Sequence, residues 1–265
     1  MKALSIDALV VLRKEFDEVL KNKYILTTMA SFPLIFSVAI PLIYMFTLPS
    51  SVSRGDVAAF KNMVPAFDVM TPRQVLLYFV VQSNLPFYLL MPAVIPTLVS
   101  SYSIVGEKKC GTLEPLLATP ASTRDILLGK TLAAVIPSVL ITWLGFLIYM
   151  VLVDVLTHDI FNYLVLPSLV WVISIGIIAP LLSLMSVYLS IVVSSRVNDI
   201  RAAQQVSAVF VIPIMGLFVL QLFGYVSLNI GSLTIAGLLL LVVDIILIYA
   251  STKVFNREEI LTKWA

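Results

Sequence analysis

Long apolar runs alternate with short charged clusters along this chain. Residues 25–48, 76–104, 131–153, 164–193, 205–226 and 232–250 each approach or exceed the roughly 20 apolar residues a helix needs to cross a bilayer. The pattern predicts an all-α integral membrane protein: one transmembrane domain over residues 1–265 with six transmembrane helices. Prolines interrupt several runs, and the long second one should tilt, protrude, or kink at Pro86, Pro92 or Pro96. Two starts are marked locally. Thr71-Pro72 reads as an N-cap followed by proline at the first helical position. Ser122-Thr-Arg-Asp125 before an apolar run reads as a capping box.

Residues 1–24 have a different period. Leu9, Leu12, Phe16, Val19 and Leu20 share a helical face, while Arg13, Lys14, Asp17, Glu18 and Lys21 lie largely elsewhere. The i,i+4 pairs Arg13–Asp17 and Asp17–Lys21 support a helix. It is expected to lie in the membrane interface; the alternative is a solvated helix docked on protein. The first apolar run follows this charged segment and is expected to be a retained span.

Composition adds to the picture. The 265 residues are 60% hydrophobic and 12% charged, against about 25% charged in a soluble domain. A net charge of +2 with no basic aromatic stripe argues against a nucleic-acid partner. Fourteen Lys and Arg fall in 1–24, 105–130, 194–204 and 251–265, and three (Arg54, Lys61, Arg73) fall on the other side. The positive-inside rule therefore places both termini in the cytoplasm of a multi-pass protein, expected in the cell's plasma membrane.

Catalytic chemistry is hard to find. One Cys and one His make a structural zinc site, or any other metal site, improbable. Gly106-Glu-Lys-Lys-Cys-Gly111-Thr112 has the two glycines of a phosphate-binding loop but lacks the lysine after the second. His158 with Asp154 and Asp159 reads as a solvated loop histidine. Asp244 is the clear intramembrane acid. A charge there costs at least about 2.5–3.5 kcal/mol, so it should be protonated, bonded to a neighbour such as Tyr249 or Ser251, or placed in a wet cavity. It is also the group on which an ion-gradient-driven transporter or channel would depend.

The stretch 103–130 is the most specific signal. Glu107-Lys-Lys-Cys-Gly111-Thr112-Leu113-Glu114-Pro-Leu116-Leu117-Ala-Thr119-Pro120, then Asp125-Ile-Leu-Leu-Gly129-Lys130, resembles the signature of ABC type-2 transporter permeases, the membrane subunits of type V ABC exporters. The stretch 195–205 and the tail 255–261 are also similar to that family. The resemblance implies a short cytoplasmic coupling helix within 105–130 that docks on a separate ATP-binding subunit. Glu107, Lys108, Gly111, Thr112, Leu113, Glu114, Leu116, Leu117, Thr119 and Pro120 would carry that coupling. Leu113, Leu116 and Leu117, at i, i+3, i+4 spacing, would be its apolar anchor. Glu107, Lys108, Lys109 and Glu114 would form a charged rim. The resemblance further implies a pathway formed with a second permease copy or homologue and lined by spans 2 and 5, which makes Gln82, Ser83, Asn84 and Gln221 candidates. No cofactor is expected in this chain, and ATP and Mg would reside in the partner.

Overall fold

A computed structural model of the protein describes residues 5–254 apart from 50, 62, 198, 208, 210, 224 and 227; the side chains of 113, 114, 117, 196, 206, 207, 211, 222 and 254 also lie outside the description. The described residues form helices and no strand. In chain order these are α1 (Ile6–Lys21), α2 (Lys23–Thr47), α3 (Pro72–Ser83), α4 (Leu85–Cys110), α5 (Leu113–Ala118), α6 (Thr123–Phe161), α7 (Leu169–Ser195), α8 (Ile200–Ser207), α9 (Val211–Leu222) and α10 (Ile230–Val254). Among the described residues, five helical spans are long and apolar enough to cross a membrane: α2, α3 with α4, α6, α7 and α10. The sixth expected span, 205–226, contains the shorter apolar helix α9.

At the two extremes burial runs against apolarity, as it does when the solvent is lipid. In the most apolar stretch of α10 only 17% of residues are buried, against 78% for α3–α4, the least apolar of the five. Lipid tails match leucine, so the interior is reserved for tighter and more polar contacts. Small hydroxylated residues supply them. Ser101 and Ser190 are 3.1 Å apart across α4 and α7, and Ser138 and Ser183 are 3.3 Å apart across α6 and α7. Deeper in, Tyr88, Phe146, Tyr149 and Trp171 pack ring on ring.

Both helices start where the sequence placed them, but the reciprocal capping box forms at Thr71, and at Ser122 only the N-cap half forms. The Thr71 hydroxyl accepts from Gln74 N, and the Gln74 side-chain oxygen accepts from Thr71 N. The Ser122 hydroxyl accepts from Asp125 N. The second run breaks at Asn84, between α3 and α4, whereas α4 continues through Pro92 and Pro96. Pro86, two residues after the break, has no N–H to offer the carbonyl four residues back, and at the break itself the Val81 carbonyl accepts from both Asn84 N at 3.3 Å and the Tyr149 hydroxyl at 3.1 Å.

Helix bounds depart from the apolar runs. The expected polar connection 105–130 is mostly helix, with α4 reaching Cys110 and α6 starting at Thr123. The expected loop 154–163 is the end of α6, where Asp154 Oδ1 accepts from Val165 N at 2.9 Å and Leu166 N at 3.0 Å. A hydropathy pattern ends where charges begin, but a backbone helix continues wherever those charges find partners. At this end of the bundle, the described residues between 51 and 71 fold over a small cluster of Val57, Val64 and Val75, with Phe60 stacked on Phe79 at 4.1 Å.

Helix α1 docks on α6. Its buried stripe is Ala8, Val11, Glu15 and Val19, and the contact is so close that a Cβ on Gly129 would lie 2.7 Å from Val11 Cβ and 2.9 Å from the Ala8 carbonyl oxygen. Of the apolar face read from the sequence, Leu9 and Leu20 remain exposed, beside Ile6 and Val10. The helix is thus docked on protein by one face and presents a second apolar face outward.

Candidate functional site

The site is built where α4 ends and α6 begins. Gly111 adopts φ +67°, a conformation only glycine takes without strain. Thr112 N then bonds to the Glu107 carbonyl at 3.0 Å, and Gly111 N to the Lys108 carbonyl at 3.3 Å. This pair of bonds is a Schellman closure. It stops α4 and turns the chain directly into α5. Thr119 is extended after α5, and Ser122 restarts the chain as α6. The paired glycines that superficially suggested a phosphate loop are therefore one helical residue, Gly106, and one helix terminator.

Helix α5 carries Leu113, Glu114, Leu116 and Leu117. Leu116 is half-buried against the core, while Pro115, Ala118, Thr119 and Pro120 are exposed. The side chains of Leu113, Glu114 and Leu117 lie outside the described residues, so the apolar anchor is placed only by its helical register.

Glu107 departs from the expected charged rim. It is 6% exposed and belongs to a buried cluster. Lys130 Nζ lies 2.7 Å from Glu107 Oε2, 2.6 Å from Glu15 Oε1 and 2.7 Å from Ser103 Oγ. Lys14, half-exposed at the edge, bonds the other Glu107 oxygen and sits 3.4 Å from Glu15. Two ammoniums thus meet two carboxylates drawn from α1, α4 and α6. Burial alone would push the Glu15 carboxyl up, but the Lys130 charge and its hydrogen bond override it and hold the group below the usual carboxylate range. For Lys14, burial is likewise outweighed by the bond to Glu107 and the charges of Glu15 and Glu18, which raise it above the ordinary lysine value. From the sequence Lys14 was read only as part of the charged face of 1–24 and Lys130 only as part of the family-like motif, while Glu15 and Ser103 were not singled out. The available signal was Glu15 standing in the otherwise apolar 8–11–15–19 stripe.

Two sequence-marked stretches also meet here. Lys109 Nζ pairs with Asp199 at 3.2 Å, and Lys108 Nζ reaches the Val197 carbonyl at 3.4 Å. The turn before α8 is thereby tied to the end of α4.

Residues 9–259 match the model of a family described as ABC-2 family transporter protein. The chain belongs to that family. As an ABC-2 transporter protein it is a multi-pass membrane permease of an ABC transporter. No curated protein matches it. The Schellman turn, α5 and the buried ion cluster of this ABC-2 permease all fall inside the matched region.

The permease's other candidates separate into three places. Gln82 and Gln221 line one cavity of about 530 Å³ at the end of the bundle opposite α5. Ser83 and Asn84 line a neighbouring one of about 310 Å³, and Phe79 borders both. Asp244 is 3% exposed inside α10, and neither carboxylate oxygen has a hydrogen-bond partner among the described residues. The partners expected for it are engaged elsewhere. The Ser251 hydroxyl bonds the Ile248 carbonyl, and Tyr249 is exposed with Lys253 over its ring.

Proposed function

We propose that this permease forms the substrate pathway of an ATP-driven exporter, working as one transmembrane unit paired with a second copy or a homologue. Helix α5 is its coupling helix and docks on a separate ABC ATP-binding subunit, where ATP and Mg are held. Both termini and α5 face the cytoplasm, and the complex resides in the plasma membrane. The observation that carries this reading is the rigid mounting of α5. Gly111 fixes its start, Ser122 fixes the restart after it, and Lys130 joins Glu107 of α4 to Glu15 of α1 just behind it. A push on α5 is therefore delivered to three helices together. ATP binding would favour one arrangement of them over the other, which is switching by differential affinity.

The test is co-purification with the ATP-binding subunit followed by substrate-stimulated ATP hydrolysis. Leu113→Asp or Leu117→Asp should break binding or stimulation by more than about a hundredfold, because each sets a charge in a desolvated contact. Lys109→Ala should leave binding and stimulation nearly unchanged, since its pairing with Asp199 is exposed. Full binding and stimulation by both leucine variants would make α5 a plain connector.

The unpartnered Asp244 oxygens favour one second reading, an ion-gradient-driven transporter or channel. In that case Asp244→Asn abolishes transport while folding and assembly stay normal.

A further inference from the structure

The larger cavity has a chemistry that α5 coupling leaves unused. It lies between α3, α7, α9 and the start of α10, beside the described residues between 51 and 71. Its volume, about 530 Å³, falls within the roughly 300–1,000 Å³ of small-molecule sites. None of its lining residues is ionisable except the phenol of Tyr78.

Three buried polar atoms on this lining lack a hydrogen-bond partner among the described residues: Gln82 Nε2, Gln221 Oε1 and Ser168 Oγ. Each is unspent for a local reason. Gln82 uses its carbonyl oxygen on Trp171 Nε1 at 2.8 Å, which turns the amide nitrogen away from the indole. The Tyr78 hydroxyl stands beside Gln82 without closing an aligned bond to that nitrogen. Ser168 is the N-cap of α7, yet its hydroxyl makes no capping bond, although capping is the usual use of serine there. Buried polar atoms normally find partners. A donor, an acceptor and a hydroxyl left open around one space, with Phe79 as an apolar wall, define what would complete them.

We infer that this cavity is a substrate subsite for an uncharged amphiphile that carries both a hydrogen-bond donor and an acceptor, such as an amide or hydroxylated headgroup on an apolar body. The assignment rests on the exporter reading for its role in transport, not for the binding itself. An ion fits poorly. A cation would lack carboxylates, an anion would lack ammonium or guanidinium groups, and either would lose its hydration to a wall without countercharge. A purely apolar occupant would leave the three polar atoms as they are. The Gln82 amide donates, the Gln221 oxygen accepts, and Ser168 does either.

The experiment uses the full chain in lipid nanodiscs, with empty nanodiscs subtracting partition into lipid. Three matched probes are titrated calorimetrically at neutral pH: N-octanoylglycinamide, which is neutral; N-octanoylglycine, an anion; and the monoamide of octanoic acid with ethylenediamine, a cation. The neutral probe should bind saturably, with both charged probes at least about tenfold weaker. Gln221→Leu should weaken the neutral probe by at least about tenfold and Ser168→Ala by about threefold. Gln221→Leu removes Oε1 along with the amide nitrogen and Ser168→Ala removes Oγ; neither oxygen bonds anything among the described residues, and an unchanged melting temperature of each variant confirms that the chain stays folded. Equal affinity of a charged probe, unsaturable uptake, or unchanged binding by Gln221→Leu overturns the assignment. The ATP-binding subunit is absent from this titration. Loss of probe binding therefore leaves α5 coupling standing, and failed coupling with intact probe binding removes the exporter reading alone.

Discussion

Lys130 holds two buried carboxylates, and removing it leaves both without their inner countercharge. Breaking a buried ion pair from one side costs about 3–5 kcal/mol, so Lys130→Met should lower the melting temperature in detergent sharply. Adding Glu15→Gln and Glu107→Gln to Lys130→Met should recover most of the loss. A triple variant as unstable as the single one would show that packing, not charge, is at stake. The same cluster sets a pH response. The Glu15 carboxyl is depressed in the folded protein, so its stabilisation is full above the unfolded value of about 4 and is lost as pH falls through the lower folded value. Lys14 is raised, so its share persists at neutral pH and is lost only in strong alkali, above the unfolded value of about 10.4. Melting followed from pH 7 downward should stay flat until below about 4, as far as Glu15 controls it. Within the exporter account Asp244 has a packing role, and Asp244→Asn should keep at least about half of transport-linked ATP hydrolysis, because an amide preserves hydrogen-bonding capacity without needing charge. The family-like motif marked Glu107 and Lys130, but their joining to Glu15 in one buried cluster was not legible in the sequence. Glu15, Glu107 and Lys130 look like ordinary charges at the edges of apolar runs, and only the docking of α1 brings them together. Asp244 stood out because its own neighbours in the chain are all apolar.

At the scale of elements, local signals were legible and lateral ones were not. Thr71 and Ser122 cap helices because their partners are three residues away. Gly111 was marked by the family-like motif, and its left-handed backbone supplies the physical reason for that glycine. A residue with a Cβ there would cost about 1–2 kcal/mol, so Gly111→Val should blur the α4–α5 boundary and weaken coupling more than it weakens folding. The mounting of α1 against Gly129 depends on a contact between segments far apart in sequence, and no periodicity encodes it. Gly129→Ala forces its new methyl against Val11 and the Ala8 carbonyl, an overpacking of about 1–3 kcal/mol. Helix α1 should then loosen, which faster amide exchange over residues 6–21 would register. Unchanged exchange would mean that α1 is held by the ion cluster alone. The extended ends of α4 and α6 went unread for a related reason: a solvent-like charge and a partnered buried charge are the same letter.

For the whole molecule, the membrane class was written in the sequence, because apolar runs of spanning length have few other uses. The inverted burial gradient, with α10 most apolar and least buried, expresses the same fact in three dimensions. Orientation and coupling rest on charge distribution and family motif, and both make one claim: the end bearing α5 is cytoplasmic and meets an ATP-binding subunit. Thr119 and Val69 lie exposed at opposite ends of the chain's spans. The direct test places a photo-activated cross-linking residue at each position in turn, in membranes that also contain the candidate ATP-binding subunit. The account predicts a covalent adduct with that subunit from position 119 and none from position 69. An adduct from position 69, or the absence of one from position 119 when the complex is assembled, would contradict it.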